Sequence, residues 1–181
     1  WQKNEYEARP IASLAKLMSA LVFLESPIDW GQIVPVVGED ALDAHIYAGE
    51  SYTATELWHA ALVGSSNKAI LSLVTTSGYT MEEFVARMNQ KAQELGMTDA
   101  NFIDPTGLVD SNQASASDLA ILLANALYSD KIRETLLIPE YTLYFAEKKH
   151  HIWNTNWLLL GWIPNNFAEI FLWNYVFKEV F

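Results

Sequence analysis

Apolar residues in the first part of the chain recur at helical spacing. Leu14, Leu17, Met18, Leu21 and Val22 fall at i, i+3, i+4, i+7 and i+8. They predict one amphipathic helix from Leu14 to Leu24, bounded by Pro10 and Pro27. Ile33 to Val37 predicts a short extended segment, which Pro35 confines to an edge, and Gly49-Glu50 predicts a turn. Thr53 and Glu56 have capping-box spacing and open a helix through Val63. Gly64-Ser65-Ser66-Asn67 interrupts it, and a second helical stretch runs from Lys68 to Thr75 before Ser77-Gly78. Thr80 and Glu83 repeat the capping box for a longer helix that Gly96 closes. Asp104-Pro105-Thr106-Gly107 predicts a turn, and Ser117 is placed to cap a helix through Tyr128 with Leu119, Leu122, Leu123 and Ala126 on one face. Beyond Pro139 the pattern changes. Tyr141 to Phe145 and Ile152-Trp153 predict strands, and the aromatic-rich stretch from Trp162 to Phe181 fits neither period.

Composition narrows the class. The chain has 181 residues, 51% of them hydrophobic, enough for one domain with its own core. Its net charge of −11 repels phosphates, so no nucleic acid is expected as a partner. With no cysteine, disulfides, thiolate metal sites and a cysteine nucleophile are excluded together. Trp1 to Tyr6 is polar, so this chain does not open on a signal peptide, and no apolar run is long enough to predict a membrane span. In the aromatic tail Glu169, Asn174, Lys178 and Glu179 do not gather on one face. The tail therefore points to an apolar segment seeking a partner more than to a membrane-surface anchor.

Two segments carry candidate chemistry. Ser13-Leu-Ala-Lys16 is a Ser-x-x-Lys at a helix start. A serine hydroxyl needs a base to become a nucleophile, and spacing of three places the lysine amine one turn away on the same side. Burial would weaken that amine's preference for its charged form and let it serve as the base. Ser65-Ser66-Asn67 places a hydroxyl and a carboxamide in a tight turn, where they could relay a proton and hold a substrate amide. Ser-x-x-Lys alone is unspecific, since Ser65 and Lys68 repeat it. The two serine motifs together are two parts of the signature of penicillin-interacting enzymes, whose third part is Lys-Thr-Gly. His45, His59, His150 and His151 show no ligand spacing, so no metal is expected. Asp104 and Asp118 are read as turn and helix-cap carboxylates rather than an acid/base pair.

Around these motifs the chain resembles the serine-type D-alanyl-D-alanine carboxypeptidases, the low-molecular-mass penicillin-binding proteins. Gln2 through Met18 is similar to their nucleophile segment, and Ala61-Leu-Val-Gly-Ser65-Ser-Asn67-Lys-Ala to their second motif. Phe84 to Met97, Asn101-Phe-Ile-Asp-Pro-Thr-Gly-Leu108, Ser115-Ala-Ser-Asp-Leu119 and Asn154-Thr-Asn-Trp-Leu-Leu159 follow in the family's order. The resemblance implies an α+β, serine β-lactamase/DD-peptidase-like fold, a helical cluster on an antiparallel sheet with the helical part mainly retained. It implies a catalytic domain over residues 1–161, incomplete at both ends, and a divergent aromatic tail over 162–181.

It also implies roles. Ser13 would be the acylated nucleophile, Lys16 its base, and Ser65 and Asn67 would line the site opposite. Peptidoglycan pentapeptides and β-lactams would be the partners, no cofactor or metal would be used, and the action would be extracytoplasmic. The chain departs from the family's pattern at Ala15, where Thr or Ser is usual, and at Lys68, where a carboxylate is usual. No lysine is followed by Thr-Gly or Ser-Gly, and Gly161-Trp-Ile-Pro-Asn-Asn-Phe167 follows instead, so weak or no turnover is expected. Two rival readings are a class A β-lactamase-like hydrolase, which would need a glutamate to drive deacylation, and a non-catalytic peptidoglycan-binding remnant.

Overall fold

The expected first helix forms in the computed structural model, which describes residues 4–156. It is α1 (Ala15–Phe23), entered through a 3-10 turn over Ala12–Leu14. Its apolar stripe understates its burial. Lys16, Ser19, Ala20 and Phe23 are buried along with Met18 and Val22, while Leu17 and Leu21 are half-buried. The reason is its central position: α1 packs against α2 (Ala54–Val63), α3 (Asn67–Val74), α4 (Met81–Leu95) and α5 (Ala116–Tyr128). A helix with this many neighbours buries polar residues as well as its stripe, and those residues need partners inside the protein. Ser19 finds one by donating from Oγ to the Pro105 carbonyl at 2.6 Å.

The caps explain where the helices start. Thr53/Glu56 and Thr80/Glu83 both form reciprocal capping boxes, and Gly96 ends α4 with a left-handed φ of 80°. The cap expected at Ser117 is instead Ser115. Its side chain accepts from the Asp118 N–H, and the Asp118 carboxylate accepts from the Ser115 N–H, another capping box two residues earlier. α3 begins at Asn67 rather than Lys68, because Ser66 caps it. The apolar pattern did not foretell α6 (Asp130–Leu136), a short polar helix whose cap, Ser129, also closes α5.

Among the described residues the strands form three separate antiparallel pairs. β1 (Arg9–Pro10) pairs with β4 (Gln113–Ala114), and β2 (Ile33–Pro35) with β3 (Ser51–Thr53). β5 (Glu140–Phe145) and β6 (Lys148–Trp153) make a hairpin that packs on α2 through the buried Leu143 and Ile152. β2 stops at Pro35 instead of Val37, although Val36 still donates to the Glu50 carbonyl at 2.9 Å. An aromatic cluster of Phe23, Trp30 and Trp58 fills the space between α1 and α2, and Trp58 Nε1 donates to Thr135 Oγ1 on α6 at 2.8 Å. No helix among the described residues is long and apolar enough to cross a membrane. The expected boundary at residue 161 and the aromatic tail lie outside the described residues.

Candidate active site

The 3-10 turn delivers Ser13 to the mouth of a cleft, and the first turn of α1 places Lys16 beneath it. Lys16 Nζ lies 3.0 Å from Ser13 Oγ and donates to the Thr106 carbonyl at 2.8 Å. The lysine is 2% exposed. Burial pushes its pKa down to about 8, against the opposing pull of the Asp104 and Asp43 carboxylates.

The turn at Asp104 holds that carbonyl. Asp104 Oδ1 accepts from the Thr106 N–H, the Thr106 hydroxyl and the Gly107 N–H at 2.6, 2.5 and 2.9 Å. Oδ2 accepts from the Val109 N–H at 3.0 Å and Asn112 Nδ2 at 2.6 Å. Burial alone would raise this carboxyl's pKa, but the hydrogen bonds from Thr106, Val109 and Gly107 prevail and hold it below the usual carboxylate range. The turn also reaches the nucleophile. A Cβ on Gly107 would fall 1.8 Å from the Ala12 carbonyl oxygen and 3.0 Å from the Ser13 nitrogen. Only glycine fits there, because the turn and the nucleophile's backbone are in direct contact.

Ser65 lines the same cleft, between α2 and α3. Its φ of 58° lies in the left-handed region, unusual for a residue with a side chain. Asn67 is half-buried, and its Nδ2 donates to the Leu42 carbonyl at 2.9 Å, so its carboxamide is tied to a neighbouring loop. The structure therefore brings Ser13, Lys16 and Ser65 together on one cleft, while Asn67, at the start of α3, is tied to Leu42 and is not among the described residues that line it. Lys68 is fully buried, pairs with Asp40 at 3.1 Å and lies 5.0 Å from the centre of the Tyr47 ring.

Asn154 also lines the cleft, and its segment carries only the family resemblance and no local chemical motif. It is buried, and its Nδ2 donates to the Leu136 and Ile138 carbonyls at 3.1 and 2.7 Å. Thr106 and Asp43 also act on the site, yet neither belongs to a local spacing pattern. Both lie far from Lys16 in sequence and near it in space.

A helical core with small antiparallel pairs, carrying a serine and a buried lysine at one cleft, fits the serine β-lactamase/DD-peptidase-like architecture that the resemblance implies. Known proteins of similar sequence and structure share it. Penicillin-binding protein D2 from Listeria monocytogenes, solved in an ampicillin-bound form, superposes with a TM-score of 0.76 at 29% identity, over 91% of this chain and 69% of that one. The D-alanyl-D-alanine carboxypeptidase from Mycobacterium tuberculosis superposes with a TM-score of 0.75 at 28% identity, over 88% of this chain and 62% of that one. A D-alanyl-D-alanine endopeptidase from Pseudomonas aeruginosa is 32% identical over 171 residues, covering 87% of this chain and 55% of the relative. Residues 1–165 match the D-alanyl-D-alanine carboxypeptidase family of peptidases, S11, and the chain belongs to that family. It spans about half the length of the curated D-alanyl-D-alanine endopeptidases it matches.

Proposed function

We propose that the chain is a serine-type peptidase acting on the D-Ala-D-Ala end of peptidoglycan stem peptides, outside the cytoplasm, through an acyl-enzyme on Ser13. The observation that carries this is the pairing of Ser13 Oγ with an almost fully buried amine 3.0 Å away. With its pKa near 8, about one Lys16 in ten is neutral at pH 7, against about one in three thousand for an ordinary lysine.

In the neutral form the Lys16 lone pair accepts the Ser13 proton. Ser13 Oγ then bonds to the carbonyl carbon of the penultimate D-alanine. The C–N bond to the terminal residue breaks, and its nitrogen leaves as an amine after receiving a proton relayed from Lys16 through the Ser65 hydroxyl. Water then hydrolyses the ester. Asn67, with Nδ2 engaged by Leu42, would receive the substrate amide N–H at Oδ1. β-Lactams would acylate the same serine, and no metal or cofactor enters these steps.

A second reading concerns the bond cut. The Pseudomonas relative is an endopeptidase, so a cross-linked stem peptide is a substrate candidate beside the terminal dipeptide. The two differ only in what leaves with the amine. Incubating the chain with an uncross-linked pentapeptide and with a cross-linked muropeptide dimer, and weighing the products, separates them. Release of free D-alanine supports the carboxypeptidase, and conversion of dimer to monomers supports the endopeptidase. Cleavage that survives Ser13→Ala would refute the acyl-enzyme assignment. A class A β-lactamase would hydrolyse penicillin rapidly. Slow release of the penicillin adduct would support the DD-peptidase, and rapid release the β-lactamase.

A further inference from the structure

The loop before β3 holds the second motif from behind. Asp43 Oδ2 accepts from Ser66 Oγ at 3.0 Å and from the Lys68 N–H at 2.9 Å, while Oδ1 accepts from the His45 N–H at 3.1 Å. The neighbouring Leu42 carbonyl takes Asn67 Nδ2. Asp40 takes the buried Lys68 ammonium and the Ala48 N–H. Ser66, Asn67 and Lys68, three consecutive residues after Ser65, are thus each tied to residues 40–43. On the other side, the Ser66 N–H donates to the Ala60 carbonyl at 3.1 Å. Ser65 keeps its left-handed backbone between these two anchors, and a strained conformation persists only where its surroundings over-determine it.

We infer that Asp43 is a positioning residue, which clamps the start of α3 so that Ser65 is presented to the Ser13–Lys16 pair. This rests on the reading of Ser13 as the acylated nucleophile. Asp43 acts by two separable means. One is its hydrogen-bond acceptors, which fix the loop. The other is its charge, which reaches Lys16 together with that of Asp104 and favours the ammonium form. The other ionisable groups around the clamp are Lys68 from α3 and Asp40 and His45 from its own loop.

Asp43→Ala removes both means. Asp43→Asn keeps one oxygen able to accept from Ser66 and Lys68, and loses the charge. The test measures acylation by a fluorescent penicillin across pH for the full chain and both variants, with circular dichroism to confirm folding. Asp43→Ala is expected to acylate about 10- to 100-fold more slowly with little change in the apparent initial binding constant. Asp43→Asn should recover most of that rate. Its pH profile should shift to lower pH, because removing a nearby negative charge makes the Lys16 ammonium less stable.

Amide hydrogen exchange provides a second readout that does not depend on activity. The Lys68 N–H donates to Asp43, so it should be protected in the parent chain and in Asp43→Asn, and exchange faster in Asp43→Ala. Equal Lys68 exchange in the parent chain and Asp43→Ala would overturn the clamp. So would a folded Asp43→Ala that acylates at the parental rate, and an unshifted profile in Asp43→Asn would overturn the charge role. A parent chain that forms no adduct would refute the functional reading instead, and Lys68 exchange would still decide the clamp.

Discussion

Replacing Gly107 with alanine tests whether the turn at Asp104 supports the nucleophile. The new Cβ would lie 1.8 Å from the Ala12 oxygen and 2.4 Å from its carbonyl carbon, so something must move. Ala12 has little room to retreat. It already sits at a φ of 46°, and the Ile11 N–H before it is held by the Asn112 carbonyl at 3.0 Å. The φ of 84° at Gly107 adds about 1–2 kcal/mol for any residue with a Cβ. Forcing extra atoms into a packed contact adds about 1–3 kcal/mol. The total is about 2–5 kcal/mol, read as a loss of unfolding free energy in urea.

Gly96→Ala is the control, because its φ of 80° is similar but nothing lies within 4 Å of its added Cβ. It should cost only the backbone part, about 1–2 kcal/mol, and leave acylation unchanged. Gly107→Ala should also slow acylation by about 100-fold, the cost of displacing a reacting group by about 1 Å. Equal destabilisation in the two variants, or parental acylation by Gly107→Ala, would refute the contact between turn and nucleophile.

Two further outcomes follow from the geometry. The acylation rate should rise about tenfold per pH unit through neutrality and level off above about 8, because the neutral Lys16 is the reactive form. A rate that is flat from pH 6 to 9 would remove Lys16 as the base. Thr135→Val leaves the buried Trp58 N–H without its acceptor, and unfolding in urea should show a loss of about 1–3 kcal/mol. Unchanged stability there would mean that the indole finds another partner.

The part of the site legible in the sequence is the part made by local spacing. Ser13 and Lys16 share one helical turn, so a separation of three places them together once that turn forms. Joining Ser65 to them needs the packing of α3 against α1, which no period encodes, and only the family resemblance supplied it. The Asp104 turn was visible as a turn. That its Thr106 carbonyl would meet Lys16, 90 residues away in the chain, was not. Asp43 lay in a polar stretch without apolar periodicity, where sequence patterns say little about which side chain faces which neighbour.

The same limit applies to the fold. Helices opening at Thr53 and Thr80 were clear, because a Thr three residues before a Glu marks each start. Ser115 and Ser117 stand two residues apart, and the capping-box spacing of Ser115 to Asp118, which Ser117 lacks, is the signal that marks the first. α6 carries too few apolar residues for a stripe, and β1 and β4 are two-residue strands paired across the chain, too short to leave a pattern.

The most direct measurement is peptide mapping of the covalent product after incubation with a penicillin. The mass increment is expected on the peptide containing Ser13, with Ser65 unmodified, and it should disappear in Ser13→Ala while the fold is retained. An increment that persists in Ser13→Ala, or that maps to Ser65, would contradict the account.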